Sequence, residues 1–337
     1  MEFDKILLSH GSGGRLSQQL IQDVFLKELS NEILDELNDS AVLEVAEGKL
    51  AYTTDAFVVS PIFFPEGDIG RLSVCGTVND LAMMGAKPLY LSASFIIEEG
   101  LAINDLKTIL RSMKQAADEA GIKIVCGDTK VVGRGMADKI FITTSGIGLI
   151  PDGIDISPRR ICPDDSVILS GTIGDHGIAI LSQREGLGFS SNISSDVAPL
   201  NHLVASMLDE VGNEIHAMRD PTRGGLATTL NEFAQVANLG MRIYEDKIPV
   251  QDNVRGACEL LGFDPLYIAN EGKLVAIVGN AAGDKVLACM KKHPFGINAE
   301  IIGEVVETHE GMVSLVTRIG GTRVIDMMVG DQLPRIC

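Results

Sequence analysis

Short apolar runs alternate with segments of helical period along this 337-residue chain. The alternation is interrupted once, across residues 151–165, where Pro, Gly and charge concentrate. Strands separated by helix-length segments fold as sheets with helices layered on them, because each sheet needs a covered apolar face. Before the interruption, residues 49–59, 89–97, 122–126 and 139–150 read as strands, with 122–126 a buried one. Residues 15–29, 70–84 and 104–120 read as helices. After it, residues 166–170, 274–278, 300–307 and 312–318 read as strands and 226–237 as a helix. A chain of this length supports two cores. The expected architecture is therefore α+β (α/β) in two domains, residues 1–152 and 153–330, with 151–165 as the linker and 331–337 as a tail.

Charge narrows the partners. The net charge is −18, aromatic residues make up 4% and Trp is absent, so neither a cationic phosphate-binding surface nor a base-stacking platform is expected. No apolar run reaches membrane-spanning length, and the first residues lack the basic and apolar regions of a secretory signal. A cytoplasmic protein that binds neither nucleic acid nor membrane is expected. The cysteines, at 75, 126, 162, 258, 289 and 337, show no C-x-x-C or zinc spacing. Most should be small buried hydrophobes in a reducing compartment.

Three aspartates stand where a hard cation finds oxygen ligands: Asp55 within an apolar strand, Asp80 inside a helix and Asp128 after a strand. Gly76 lies one turn before Asp80 on the same helix face and leaves room for something bulky beside that carboxylate. Taken singly, each aspartate is more often solvated or a cap. Residues 10–14 (HGSGG) open a helix, as do GTIGDHG at 171–177 and DPTRGG at 220–225, and free N–H groups at such starts suit an anion. Read together, these features fit a Mg-nucleotide cleft. The chain ends in DQLPRIC, so Cys337 is a thiol on a segment that spans roughly 23 Å when extended at ~3.3 Å per residue.

The stretches TTDAFV, CGTVNDLAMMGAKP, GDTKVV, SGTIGDHG, DPTRGG, ANEGKL and the terminal PRIC together resemble the HypE family of hydrogenase maturation proteins, essentially end to end. That family lies within the PurM-like superfamily of aminoimidazole ribonucleotide synthetase, selenophosphate synthetase and thiamine monophosphate kinase. The resemblance implies an N-terminal domain that dimerises through its sheet and a C-terminal domain that closes an ATP cleft. It implies ATP-dependent dehydration of a carbamoyl group on Cys337 to a thiocyanate, the source of hydrogenase cyanide. The partners implied are a HypF-type carbamoyltransferase as donor and a HypC–HypD complex as acceptor. Carried onto this sequence, it places ATP against Gly11, Ser12, Gly13, Gly14, Thr54, Asp55, Asn79, Asp80, Gly127, Asp128, Thr129 and Arg223. It places Mg²⁺ on Asp55, Asp80 and Asp128, and offers Glu271 and Lys130 as bases. A selenophosphate synthetase uses a reactive Cys or selenocysteine and a Lys near its N-terminus, and the matching stretch here has His10 and Arg15 but neither Cys nor Lys. A thiamine monophosphate kinase has no use for the terminal thiol. A nucleotide-responsive scaffold with an inert tail is the non-enzymatic alternative.

Overall fold

The computed structural model describes residues 14–20, 22, 41–45, 48–184, 193–328, 333 and 336–337. The chain enters through α1 (Arg15–Leu20), so the remainder of the helix expected to residue 29 lies outside the described residues. It continues through β1 (Ala41–Val45), β2 (Gly48–Phe57), β3 (Phe63–Phe64), β4 (Gly67–Asp68), α2 (Ile69–Met83), β5 (Lys87–Glu98), α3 (Ile103–Ala120), β6 (Lys123–Val132) and β7 (Ile140–Ile150). These strands form a five-stranded sheet in the order β1-β2-β7-β5-β6, antiparallel except for the β5–β6 pair.

Helix α2 organises the molecule. Asp68 caps it, its Oδ1 accepting the N–H groups of Gly70 at 2.7 Å and Arg71 at 3.0 Å. The helix ends where Gly85 takes a left-handed φ of 71°. It is buried around almost its whole circumference, a pattern that belongs to a helix packed on every side. One side lies on β2 and β7; Met83 on another side joins the core of the second half. The room at Gly76 is already taken by Phe57, whose ring atoms would stand 2.9 Å from a Cβ at that position.

The second half contains β8 (Ser166–Leu169), α4 (Asp175–Arg184), α5 (Asn201–Val211), β9 (Ile215–Arg219), α6 (Gly225–Ala237), β10 (Gly240–Tyr244), α7 (Asp252–Leu261), β11 (Val275–Val278), α8 (Gly283–Met290), β12 (Glu300–Val306), β13 (Val313–Val316) and β14 (Thr322–Ile325). Its seven strands run in the order β14-β13-β10-β12-β8-β11-β9, antiparallel except for β10–β13. Leu226, Leu230 and Phe233 of α6 cover one face; Leu203 and Met207 of α5 and Val286 and Met290 of α8 cover the other.

Two expectations are corrected here. Residues 122–126 do not form a buried strand: β6 runs on through Val132 as the outer strand of its sheet, and Val125 is 57% exposed. Of its apolar run only Ile122 joins the core, whereas Ile124, Val125 and Cys126 are exposed at the sheet edge, and periodicity alone does not distinguish an edge strand from a covered one. Of the six cysteines, Cys75 and Cys258 are buried, whereas Cys126 and Cys162 are exposed. The stretch 151–165 joins the two sheets but is tied down, with Ile156 in the core and Arg160 hydrogen-bonded to Asn213 at 2.8 Å.

Candidate active site

The site forms where α2 meets the second sheet. Strand β2, the loop from β9 to α6, the loop before β11 and the last residues of the chain converge on a cavity of about 530 Å³. Asp55 projects from the helix-covered face of β2 and accepts from the Thr77 hydroxyl of α2 at 2.9 Å. Asp80, one turn along α2, accepts from Thr53 at 2.8 Å. The Thr77 and Thr144 hydroxyls lie 2.6 Å apart, and Thr144 donates to the Ser73 carbonyl at 2.9 Å, so β2, β7 and α2 are locked together behind the two acids. Burial pushes the Asp55 carboxyl up, against the downward pull of Thr77, Arg223 and Asp80.

Glu271 enters from the opposite wall. Its backbone is held on both sides: the N–H donates to Asp196 at 3.0 Å, and its carbonyl accepts from Asn79 at 3.3 Å. Asn270 accepts from the Gly174 N–H at 2.8 Å and donates to the Pro221 carbonyl at 3.0 Å, pinning the loops of SGTIGDHG and DPTRGG to this turn. The Glu271 side chain is 2% exposed, and its Oε1 has no hydrogen-bond partner among the described residues. Burial raises its carboxyl well above the ordinary range, with Asp220 and Asp196 adding to the shift and Arg223 opposing it. Arg223 is a buried cation of the cavity; Cys337 first, then Asp55, Glu271 and Asp80, hold its charge in place against burial. Cys337 itself lines the cavity, an oxygen of its α-carboxylate accepting from the Val58 N–H at 3.2 Å.

The structure thus brings Thr54, Asp55, Asp80, Arg223, Glu271 and Cys337 to one cavity. Other expected residues stand elsewhere. Asn79 is fully buried, its amide donating to the Ala198 carbonyl at 3.1 Å and its oxygen accepting from Leu200 N–H at 2.8 Å, so it braces the two halves behind the site. Gly127, Asp128, Thr129 and Lys130 lie on β6, three strands and roughly 14 Å from β2 at strand spacing. Asp128 shares a register row with Ser94, Thr143 and Ala56, on the sheet face away from α2, and pairs with Lys130 at 3.0 Å. Within one chain Asp128 is therefore apart from Asp55 and Asp80. Gly127 is dictated by packing, since a Cβ there would stand 2.2 Å from the Ala93 carbonyl oxygen. Gly14 immediately precedes α1, whose Gln18 reaches Glu232 beside the cavity, whereas Gly11, Ser12 and Gly13 lie outside the described residues.

The motif reading passes over Asp220, a carboxylate that also lines the cavity, and over the Arg219–Glu232 ion pair at its rim. Asp220 stands in DPTRGG, and its neighbour Pro221 is the only sequence hint that its position is fixed. No group of three metal-ligating side chains is preassembled among the described residues. The donor set nevertheless fits Mg²⁺: Asp55 and Asp80 sit side by side, all the donors are oxygens, and Glu271 presents an orphaned one. Mg²⁺ characteristically takes one or two carboxylates and completes its shell with phosphate oxygens and water.

The two sheets correspond to two family models, AIR synthase related protein N-terminal domain over residues 37–150 and C-terminal domain over residues 163–315. Carbamoyl dehydratase HypE of Bradyrhizobium diazoefficiens is 56% identical over 330 residues, covering 98% of this chain and 95% of that relative. The chain belongs to the HypE family of carbamoyl dehydratases. A HypE solved in complex with ATP is 49% identical with a TM-score of 0.84, over 99% of this chain and all of that one (100%). A HypE chain from a HypE–HypF complex is 50% identical with a TM-score of 0.88, over 92% of this chain and 99% of that one. The HypE family accounts for the end-to-end distribution of the motifs, and its PurM-like fold is the one built here around α2. No described helix is long and apolar enough to cross a membrane.

Proposed function

We propose that this chain uses ATP to dehydrate an S-carbamoyl group on Cys337 to a thiocyanate, the cyanide source for hydrogenase maturation. The observation that carries this reading is the seating of a chain-terminal thiol in the cavity that holds Asp55, Asp80, Arg223 and Glu271. The thiocarbamate is a primary amide, and its oxygen leaves only poorly as hydroxide. Transfer of the γ-phosphoryl group to that oxygen makes the leaving group phosphate. Loss of two N–H protons and of the C–O bond then yields the nitrile, ADP and phosphate. Asp55 and Asp80 would hold Mg²⁺, which neutralises phosphate charge when bound. Arg223 supports the same charge from the side. Glu271, buried with an Oε1 that lacks a partner among the described residues, is placed to accept an N–H proton.

The carbamoyl group needs a donor, and the HypE–HypF complex of the relatives supports a HypF-type carbamoyltransferase in that role. A HypC–HypD complex as acceptor rests on the family resemblance. The open face of the first sheet exposes Tyr52, Tyr90, Ile96 and Leu149, with Ser92, Ser94, Thr143 and Ser145 between them. A second copy of the chain pairing there would cover it, and would bring Asp128 and Lys130 of the open face against the neighbouring protomer. In this reading residues 1–152 and 153–330 are the two domains and 331–337 the travelling tail.

Mass spectrometry of the C-terminal peptide after exposure to the carbamoyl donor, with and without ATP, tests the proposal. A carbamoyl adduct that loses the elements of water only when ATP is present is expected. An adduct unchanged by ATP, or one formed on another cysteine, overturns it.

A further inference from the structure

His176 is fully buried, lies within a sequence motif that the proposed chemistry does not use, and touches the tail. Its Nε2 stands 2.6 Å from the Ile336 carbonyl oxygen and its Nδ1 2.8 Å from Ser195 Oγ. A carbonyl oxygen only accepts, so Nε2 bears the proton and Nδ1 is the acceptor. The Ser195 hydroxyl donates to Nδ1 while its oxygen accepts from the Val197 N–H at 3.1 Å. The ring is thus held in one tautomer from behind, with Phe64 packed edge-on at 5.5 Å between centroids. Burial pulls its pKa down, which keeps the ring neutral in this seat.

The Ile336 carbonyl belongs to the peptide unit that carries the Cys337 N–H. On the other side of that residue, the Cys337 oxygen accepts from Val58 at 3.2 Å. Leu333 and Ile336 sit in the apolar cluster formed by Ile178 and Ile268. We propose that His176 is a positioning residue for the tail. By gripping the Ile336 carbonyl it fixes the last peptide unit, so that with Val58 on the far side the Cys337 sulfur moves only about its own χ1. This rests on the reading of Cys337 as the carrier of the reacting group. The grip is on backbone alone, so it does not depend on whether the sulfur carries a proton, a carbamoyl group or cyanide. One seat therefore serves every stage, and holding a reacting atom to one rotatable bond is the kind of preorganisation that raises rate without touching the chemistry.

The test is the alkylation rate of Cys337 by iodoacetamide, read on the C-terminal peptide, alongside single-turnover dehydration of the carbamoylated full-length protein at saturating ATP. His176→Phe should raise Cys337 alkylation and lower the single-turnover rate, each roughly ten-fold, as expected for one buried hydrogen bond lost. ATP affinity should stay unchanged, a split that general loss of structure would not give. His176→Gln keeps an N–H donor near the same point and should stay close to wild type on both readouts. Should His176→Phe fail to fold, Ser195→Ala decides, because it frees the tautomer and should raise alkylation about three-fold. Unchanged alkylation in the folded Phe variant, or in Ser195→Ala, overturns the proposal, as does a Gln variant as impaired as Phe. A wild-type protein that forms no thiocyanate would instead sink the carrier reading, while the alkylation comparison still judges the grip.

Discussion

Glu271 and Cys337 illustrate how position within the fold gives ordinary side chains their chemistry. In solution a glutamate is ionised at neutral pH and a poor base; here burial beside Asp220 and Asp196 raises its carboxyl and so its basicity. Glu271→Gln should lower single-turnover thiocyanate formation by about 10²–10⁴-fold and let the carbamoylated tail accumulate, measured on the C-terminal peptide. The pH consequence has a definite sign. A carboxyl raised in the folded state binds its proton more tightly there than in the unfolded chain. Its contribution is full below the unfolded value and is lost as pH rises through the folded one. Without nucleotide and metal, thermal stability should therefore fall as pH climbs from the ordinary carboxylate range through the raised Glu271 value. Glu271→Gln should flatten that slope, and equal slopes in the two proteins would contradict the assignment. Cys337→Ser should bind ATP normally yet form no thiocyanate, since a hydroxyl is a far weaker nucleophile than a thiolate; turnover in that variant would remove the thiol from the reaction.

At the scale of the element, α2 couples fold and site. Its first turn is set by the Asp68 cap, its middle by the Phe57 ring packed over Gly76, and its last turns by Asp80 facing the cavity. Gly76→Ala would drive a methyl group against Phe57 and should cost about 1–3 kcal/mol of stability, read as a lowered urea midpoint. Asp80→Asn retains the shape of the side chain but loses its charge. It should weaken Mg-ATP binding in a calorimetric titration while leaving the melting temperature in metal-free buffer the same or higher. An unchanged affinity would place the cation elsewhere. Strand β6 behaves differently: its carboxylate and lysine lie on the open side of the sheet, so their contribution depends on what covers that side.

For the whole molecule, the two sheets meet across α2, and the tail closes the gap between them with Leu333 and Ile336 in a shared apolar cluster. The open face of the first sheet leaves Tyr52, Tyr90, Ile96 and Leu149 exposed. Sedimentation at micromolar concentration should show a dimer, and a charge placed at Tyr90 or Leu149 should dissociate it. A wild-type monomer under those conditions would leave the face without an occupant of its own kind.

Periodicity alone identified α2, α3 and most long strands, because helical and two-residue repeats are local properties that burial reinforces. The family resemblance carried Asp55, Asp80, Arg223, Glu271 and Cys337 together with Asp128 and Lys130, and the fold brings the first five, but not the last two, to one cavity. Neither could show that the run at 122–126 lies at a sheet edge with only Ile122 in the core, because an apolar strand reads the same at an edge as in the middle of a sheet. Nor could sequence show Asn79 turned into a brace, His176 on the tail, or Asp220 beside Glu271. Those roles depend on residues 119 positions apart for Asn79 and Ala198 and 160 for His176 and Ile336. Contacts at that range arise only when two separately encoded sheets pack against one helix, and no local pattern in the chain records where they will touch.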